Sequence, residues 1–136
     1  MKIVYWSSTG NTEKMAELIG KGIKERGKKV EILNVSDVKS DIFEDEEKVI
    51  LGCPAMGDEV LEEGEFEPFI EEISTKISNK KVYLFGSYGW GDGKWMNDWQ
   101  ERMEGYGCSV PVDPLIVSGE PEEEDECINF GKEIAK

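Results

Sequence analysis

The chain has 136 residues and carries 30 acidic against 16 basic side chains, which gives a net charge of −14. A charge of this size and sign disfavours binding to nucleic-acid backbones and anionic membranes, but it can steer the protein towards a basic protein surface. The chain has no histidine and three cysteines without a CxxC pair, so we expect no metal site and no disulfide scaffold.

The first predicted strand covers residues 3–6, which are aromatic or β-branched and uncharged. Only a methionine and a lysine precede it, and no apolar run has the length of a bilayer, so we expect neither a signal peptide nor a membrane span. The helix that follows has apolar residues at helical spacing from Met15 to Ile23, and it is predicted to end at Gly27.

A small, hydroxyl-rich loop joins this strand to this helix. At such a turn several backbone N–H groups converge and the helix dipole adds partial positive charge, so a phosphate can bind without a basic residue. An isolated Ser/Thr/Asn cluster more often only caps a helix, and both interpretations stay open at this point. The candidate phosphate ligands are Ser7, Ser8, Thr9, Gly10, Asn11 and Thr12.

Four more strands are predicted, at 30–35, 48–53, 81–87 and 109–117. Polar alternation favours an edge position for the first of them, whereas the uninterrupted apolar run of the second favours the centre of the sheet. Helices are predicted at 66–77, 95–103 and 123–136, with a short or weak one within 36–47. Strands that alternate with helices indicate an α/β fold with a parallel sheet covered on both faces, which binds ligands at the carboxyl ends of its strands.

Two further loops at carboxyl ends of strands have unusual sequences. The loop from Pro54 to Glu59 follows the third strand and contains Met56, a flexible and polarisable side chain that after a strand more often serves plain packing. The loop at 88–93 follows the fourth strand. A tryptophan in a loop usually fills the core, but the glycines on either side of Trp90 leave its indole free to lie flat. Trp95, at helical spacing from Trp99, is assigned mainly to the core at the border of this site.

Three motifs carry a resemblance to a known family: YWSSTGNT at 5–12, AMGDE at 55–59 and GSYGWGDG at 86–93. At this spacing they resemble the motifs of short-chain, clostridial-type flavodoxins, and the resemblance extends along nearly the whole chain. It implies one flavodoxin-like FMN-binding domain over residues 1–136, built as a three-layer sandwich. Its five-stranded parallel sheet would have the order 2-1-3-4-5, with helices on both faces.

The resemblance also implies the function. The family consists of low-potential one-electron carriers, not enzymes, that use non-covalently bound FMN and cycle between semiquinone and hydroquinone. The protein would substitute for ferredoxin in electron transport between redox enzymes. We expect a cytoplasmic monomer whose acidic face near the flavin docks with redox partners such as ferredoxin-dependent oxidoreductases, hydrogenase and reductases.

The same resemblance implies the roles of the site residues. The loop at 7–12 would hold the FMN phosphate, and Met56 and Trp90 would cover the two faces of the isoalloxazine ring. The polar edge of the ring would meet Gly57, Asp58, Glu59 and Gly89. The rest of the pocket would be formed by Pro54, Ala55, Ser87 and Tyr88, with Gly91 beside Trp90 and Trp95 at the border.

The pair Gly57-Asp58 predicts a turn with two alternative forms. In a turn over 56–59, type II′ needs positive φ at Gly57 and type II needs positive φ at Asp58, and the two forms differ by a flip of the central peptide. An inward Gly57 carbonyl would accept from N5–H of the one-electron reduced flavin and stabilise it. A field from nearby carboxylates would lower the potential of the second step; these are Asp58, Glu59, Glu62, Glu63, Asp92 and Glu120.

Some residues depart from the family pattern or suggest another class of protein. Ser8 stands where close relatives frequently have glycine, and Pro54 and Gly119 stand where relatives can carry polar side chains, so these positions bear on FMN affinity. Cys53 at a strand end would suit a phosphatase-like enzyme, but no arginine follows it in 54–59. A receiver domain would need an aspartate directly after the third strand, where Pro54 stands instead.

Overall fold

The computed structural model describes residues 1–89 and 91–136. Its strands are β1 (Lys2–Tyr5), β2 (Glu31–Asn34), β3 (Lys48–Gly52), β4 (Lys81–Tyr88) and β5 (Leu115–Ser118). Its helices are α1 (Asn11–Glu25), α2 (Phe66–Ile73), α3 (Lys94–Gly105) and α4 (Glu124–Ile134), with a 3₁₀ turn at Val35–Asp37. None of these helices is long and apolar enough to cross a lipid bilayer.

The strands form one parallel sheet in the order β2-β1-β3-β4-β5. In its register Ile3 of β1 lies opposite Ile32 of β2 on one side and Ile50 of β3 on the other. The predicted strand order, the edge position of β2 and the central position of β3 are confirmed. Parallel strands leave all their carboxyl ends at one edge of the sheet, so the loops that follow β1, β3 and β4 meet there.

Each face of the sheet is covered by two helices. One core cluster joins Leu51 of β3 to Phe66 of α2 and Trp99 of α3. The other joins Ile50 to Ile19 of α1 and Phe130 of α4. Because successive side chains of a strand point to opposite faces, the all-apolar β3 supplies both clusters. The three-layer architecture is therefore confirmed.

Helices α1 and α4 pack backbone against backbone. A Cβ atom added to Gly22 would lie 2.0 Å from the carbonyl oxygen of Ile128, and one added to Gly131 would lie 2.0 Å from that of Ile19. Real Cβ atoms do not approach an oxygen so closely, so glycine is required at both positions. This contact fixes the position of α1, whose first turn borders the candidate site.

The prediction of a helix within 36–47 is wrong. Only the 3₁₀ turn at Val35–Asp37 forms there, followed by turns without helical continuation. The carbonyls of Phe43 and Glu46 accept from the Lys80 ammonium at 2.8 and 2.6 Å, which replaces the missing helical hydrogen bonds. The sparse apolar residues of this acidic segment do not supply an apolar stripe wide enough to hold a helix on the sheet.

The last predicted strand is shorter than expected. Ser109 makes only an isolated bridge with Lys81, and β5 begins at Leu115. Pro111 and Pro114 have no N–H to donate to a ladder, so the segment between the bridge and β5 does not pair. Similarly, α2 ends at Ile73, although Ile77 is still buried in the core.

Candidate functional site

The loops after β1, β3, β4 and β5 enclose a cleft of about 290 Å³ at the carboxyl edge of the sheet. Its lining consists of Ser8, Thr9, Asn11, Pro54, Ala55, Met56, Gly57, Ser87, Tyr88, Gly89 and Gly119. The three loops that the sequence singled out are therefore brought together around one cavity. The loop after β5 adds Gly119, a position to which the sequence analysis assigned no contact.

One end of the cleft is the start of α1. Gly10 precedes the helix with φ +96° and ψ −9°, a left-handed conformation that glycine adopts without strain. No side chain caps the helix; the Ser7 hydroxyl instead accepts from the Gly10 N–H at 3.2 Å. The first N–H groups of a helix have no intrahelical acceptor, so here they remain available to an anion. The capping interpretation of this hydroxyl-rich loop is thereby excluded for α1.

A buried hydroxyl pair fastens this helix start to the end of β4. The hydroxyl oxygens of Thr12 and Ser87 are 3.1 Å apart, and the Ser87 N–H donates to the Thr12 hydroxyl at 3.4 Å. Thr12 is almost fully buried and lies behind the cleft wall rather than on it. The pair fixes the loop before α1 relative to the opposite wall of the cleft.

Beside the cleft, the backbone at the end of β3 packs closely against that of β4. A Cβ atom on Gly86 would lie 2.2 Å from the carbonyl oxygen of Cys53, to which the Trp95 indole N–H donates at 3.2 Å. Trp95 is 1% exposed and supports Tyr88 from beneath, with ring centroids 5.7 Å apart. Burial raises the pKa of the Cys53 thiol to about 12, so it remains protonated at neutral pH and is no nucleophile.

The turn at 56–59 differs from both predicted forms. The Glu59 N–H donates to the Met56 carbonyl at 2.8 Å, and the Met56 N–H donates to the Val60 carbonyl at 3.0 Å. Neither Gly57 nor Asp58 has positive φ, and Glu59 does, at +53°. The expectation of type II′ or type II is therefore wrong for this conformation. The residue that closes the loop takes the left-handed conformation, so the two central residues keep negative φ.

Comparisons with known proteins identify the family. The flavodoxin family model matches residues 3–131. The chain is 73% identical over 136 residues to a flavodoxin of Clostridium beijerinckii, with 99% of each chain covered. It is 44% identical over 136 residues to a flavodoxin of Megasphaera elsdenii, covering 100% of this chain and 98% of that one. The chain belongs to the flavodoxin family.

A solved structure agrees with this assignment. The solution structure of two-electron reduced Megasphaera elsdenii flavodoxin matches with a TM-score of 0.92 at 44% identity, over 98% of this chain and 97% of that one. Flavodoxins bind FMN, so this flavodoxin is a low-potential FMN electron carrier and not an enzyme. Its function implies redox proteins as partners. The family, fold and carrier function predicted from the motifs are confirmed.

Not every predicted site residue of this flavodoxin lines the cleft. Ser7, Gly10 and Thr12 shape the loop from behind, and Trp95 lies in the core. Asp58 and Glu59 border neighbouring hollows, and Gly91 has φ +92° and packs against the Glu59 carboxylate. The predicted cover of the ring by Trp90 lies outside the described residues.

One carboxylate near the flavodoxin cleft, that of Glu62, caps a helix. Glu62 accepts from the N–H groups of Gly64, Glu65 and Phe66 at 2.7, 2.7 and 2.9 Å, and so caps the start of α2. Burial alone would raise the pKa of Glu62, but these three donors bring the pKa below its ordinary value. Its role is therefore structural. Local sequence patterns did not reveal it, because Glu62 stands four residues before the first residue of α2 and not at the usual N-cap position.

Proposed function

We propose that residues 1–136 form one FMN-binding domain whose carboxyl-edge cleft holds FMN non-covalently. FMN supplies the redox chemistry, because its ring accepts and releases electrons one at a time. The observation that carries the proposal is the composition of the cleft, which has an uncapped helix start at one end and apolar and glycine-rich loops at the other. The phosphate of FMN matches the end of the cleft with the helix start, and its flat ring matches the end with the apolar and glycine-rich loops.

The loop before α1 would bind the phosphate. The uncapped N–H groups after Gly10 donate, and the hydroxyls of Ser8 and Thr9 and the amide of Asn11 border the same end of the cleft. Because charge-assisted hydrogen bonds to N–H groups are stronger than neutral ones, this loop needs no basic side chain. The ammonium of Lys14, on the same helix, instead forms salt bridges with the carboxylates of Glu120 and Glu124, at 3.3 and 3.7 Å.

The ring would lie between the loops after β3 and β4. Met56 would cover one face, and Trp90 would cover the other. Pro54, Ala55, Ser87 and Tyr88 form the wall, and the backbones of Gly57, Asp58 and Gly89 would meet the polar edge. Cover on both faces excludes water, and this strengthens every hydrogen bond and charge effect on the ring.

The Glu59 carboxylate would accept from an N–H group at the polar edge of the ring. Its Oε1 atom is buried and has no hydrogen-bond partner in the described part of the chain. An unpaired buried acceptor costs free energy, so a donor on the ligand fits this site. The positive φ at Glu59 and the missing side chain at Gly91 allow the carboxylate to take this place.

The partner-docking surface would be the acidic rim of the cleft. Asp58, Glu63 and Asp92 are exposed there, and the net charge of the chain is −14. Opposite charge steers encounter, so suitable partners are the basic faces of ferredoxin-dependent oxidoreductases, hydrogenase and reductases. We propose that this flavodoxin works as a cytoplasmic monomer in place of ferredoxin, with the rim open to each partner. Partner reduction should slow as ionic strength rises, and a rate independent of salt would contradict this docking surface.

A visible absorption spectrum tests the cofactor proposal. The purified protein should be yellow, and the FMN-free protein should regain the colour when FMN is added. Stepwise reduction with dithionite should proceed through two resolved one-electron steps. A colourless protein that FMN cannot reconstitute would contradict the proposed site and leave only the fold.

A further inference from the structure

The first turn of α1 carries a carboxylate that could compete with a phosphate. Glu13 is the third residue of this helix, which begins at Asn11. A glutamate at this position commonly turns back to the N–H group of the N-cap residue, here Gly10, and forms one half of a capping box. The positive end of the helix dipole also attracts a carboxylate there. An unrestrained Glu13 would therefore settle where the phosphate of FMN is proposed to bind.

The structure directs the carboxylate of Glu13 elsewhere. Its Oε2 atom accepts from the hydroxyl group of Tyr5 at 2.7 Å. The N–H group of Gly10 donates to the hydroxyl oxygen of Ser7 at 3.2 Å, and within the described chain α1 begins without a side-chain cap. The glutamate that could complete a capping box thus leaves the N–H groups of the first turn to a ligand.

Tyr5 is a firmly held donor. It is the last residue of β1, is only 7% exposed, and belongs to the core cluster between the sheet and helices α1 and α4. Burial, together with the hydrogen bond to Glu13, raises the pKa of Tyr5 to about 12, so its hydroxyl stays protonated at neutral pH and can donate. Hydrogen bonds to a charged acceptor are stronger than those between neutral groups. The packed tyrosine therefore determines the orientation of the exposed Glu13 side chain.

We propose that Tyr5 is a positioning residue for the cofactor phosphate, because its hydroxyl keeps the Glu13 carboxylate from bonding to the N–H groups that begin α1. Tyr5 lies behind the cleft, whose lining starts at Ser8, so its effect on FMN passes through Glu13. The inference rests on the proposed function, in which the start of α1 binds the phosphate. It adds a residue that sets the preference for a phosphorylated flavin, since riboflavin has no phosphate to compete with Glu13.

The affinities of the FMN-free protein for FMN and for riboflavin test this role. Tyr5→Phe keeps the ring in the core but removes the donor. The released Glu13 should then compete with the phosphate, so the ratio of the two affinities should fall about threefold to tenfold, the effect of one hydrogen bond or helix cap. Tyr83→Phe, which alters a tyrosine of β4 buried in the same core cluster, should leave the ratio unchanged. An unchanged ratio in Tyr5→Phe would overturn the proposal.

Glu13→Ala separates competition for the N–H groups from a general disturbance of the loop. This variant lacks the competing carboxylate, so it should bind FMN at least as tightly as the unaltered protein. In the Glu13→Ala background, Tyr5→Phe should no longer lower the ratio of the affinities. If the ratio fell equally far in both backgrounds, Tyr5 would act through packing alone and the proposal would be wrong.

The unaltered protein separates this inference from the proposed function. Equal affinities for FMN and riboflavin would contradict the phosphate site itself, whereas a preference for FMN that Tyr5→Phe retains would contradict only the role of Tyr5. If the protein bound neither flavin, urea denaturation of the free form would still test the pairing. Tyr5→Phe should then destabilise the unaltered protein more than it destabilises the Glu13→Ala variant. Equal losses of stability would overturn the pairing of Tyr5 with Glu13.

Discussion

At the amino edge of the sheet lysine ammonium groups donate to backbone carbonyls, whereas at the carboxyl edge several polar groups have no partner within the described chain. Lys80 donates to the carbonyls of Phe43 and Glu46, and Lys48 donates to that of Ile134 at 2.5 Å. At the opposite edge α1 begins without a side-chain cap, and the Glu59 Oε1 is buried and unpaired among the described residues.

The difference separates folding from binding. Where the chain satisfies its own polar groups, those groups contribute to stability and leave nothing for a ligand. Where it leaves N–H groups and a carboxylate oxygen unpaired, the cost is offset only when a ligand supplies the missing partners. Substitutions at the amino edge should therefore change stability alone, and substitutions at the carboxyl edge should change FMN binding.

The largest effect on stability is expected from Lys80→Met. The substitution leaves the carbonyls of Phe43 and Glu46 without their charged donor, so the free energy of unfolding should fall by about 2 kcal/mol. Urea denaturation measures this loss, and the affinity for FMN should not change. Lys81→Met, with the same loss of charge at an exposed neighbour, is the matched control. A weakened FMN affinity in the first variant alone would contradict the separation of the two edges.

A smaller and pH-dependent effect is expected from Glu62→Gln. Because the folded pKa of Glu62 lies below its ordinary value of 4.5, the ionised carboxylate contributes stability above pH 4.5 that is lost as pH falls through the folded pKa. The variant should lose about 1 kcal/mol at neutral pH, the usual value of a helix cap, and should converge with the unaltered protein in acid. Glu63→Gln, at the exposed next position, should show neither effect. A difference that grows on acidification would have the wrong sign for this cap.

The smallest effect on stability is expected from Gly57→Val. Gly57 has no positive φ, and a Cβ there would meet no atom within 4 Å, so the free energy of unfolding should change by less than about 0.5 kcal/mol. The two one-electron midpoint potentials of bound FMN should nevertheless shift, because a β-branched residue hinders a flip of the 57–58 peptide through positive φ. Gly57→Ala should shift them less. Two unchanged potentials in the valine variant would mean that the turn keeps one form in every redox state.

Local sequence patterns predicted the sheet because its determinants are local. The apolar run at 48–53 was enough to predict the central β3. Gly27, which has a positive φ, was enough to predict where α1 ends. The failed prediction of a helix within 36–47 has a long-range cause as well. Lys80 and the carbonyls of the 36–47 segment are more than thirty residues apart, so no local pattern shows that an ammonium replaces a helix there.

The candidate site was predictable in position but not in detail. Three motifs located the loops around the cleft, since the carboxyl ends of parallel strands must meet. The conformation of the turn at 56–59 depended on Glu59 taking the left-handed conformation, which composition does not favour for glutamate.

The most direct measurement of the central claim is the affinity of the FMN-free protein for FMN and for riboflavin, which lacks the phosphate. If the N–H groups at the start of α1 are reserved for a phosphate, FMN should bind at least about a hundredfold more tightly. Gly10→Ala should shrink this ratio, while Gly27→Ala, at a left-handed glycine near the other end of α1, should leave it unchanged. Equal affinities for FMN and riboflavin in the unaltered protein would contradict the claim that the carboxyl edge keeps its polar groups for the cofactor.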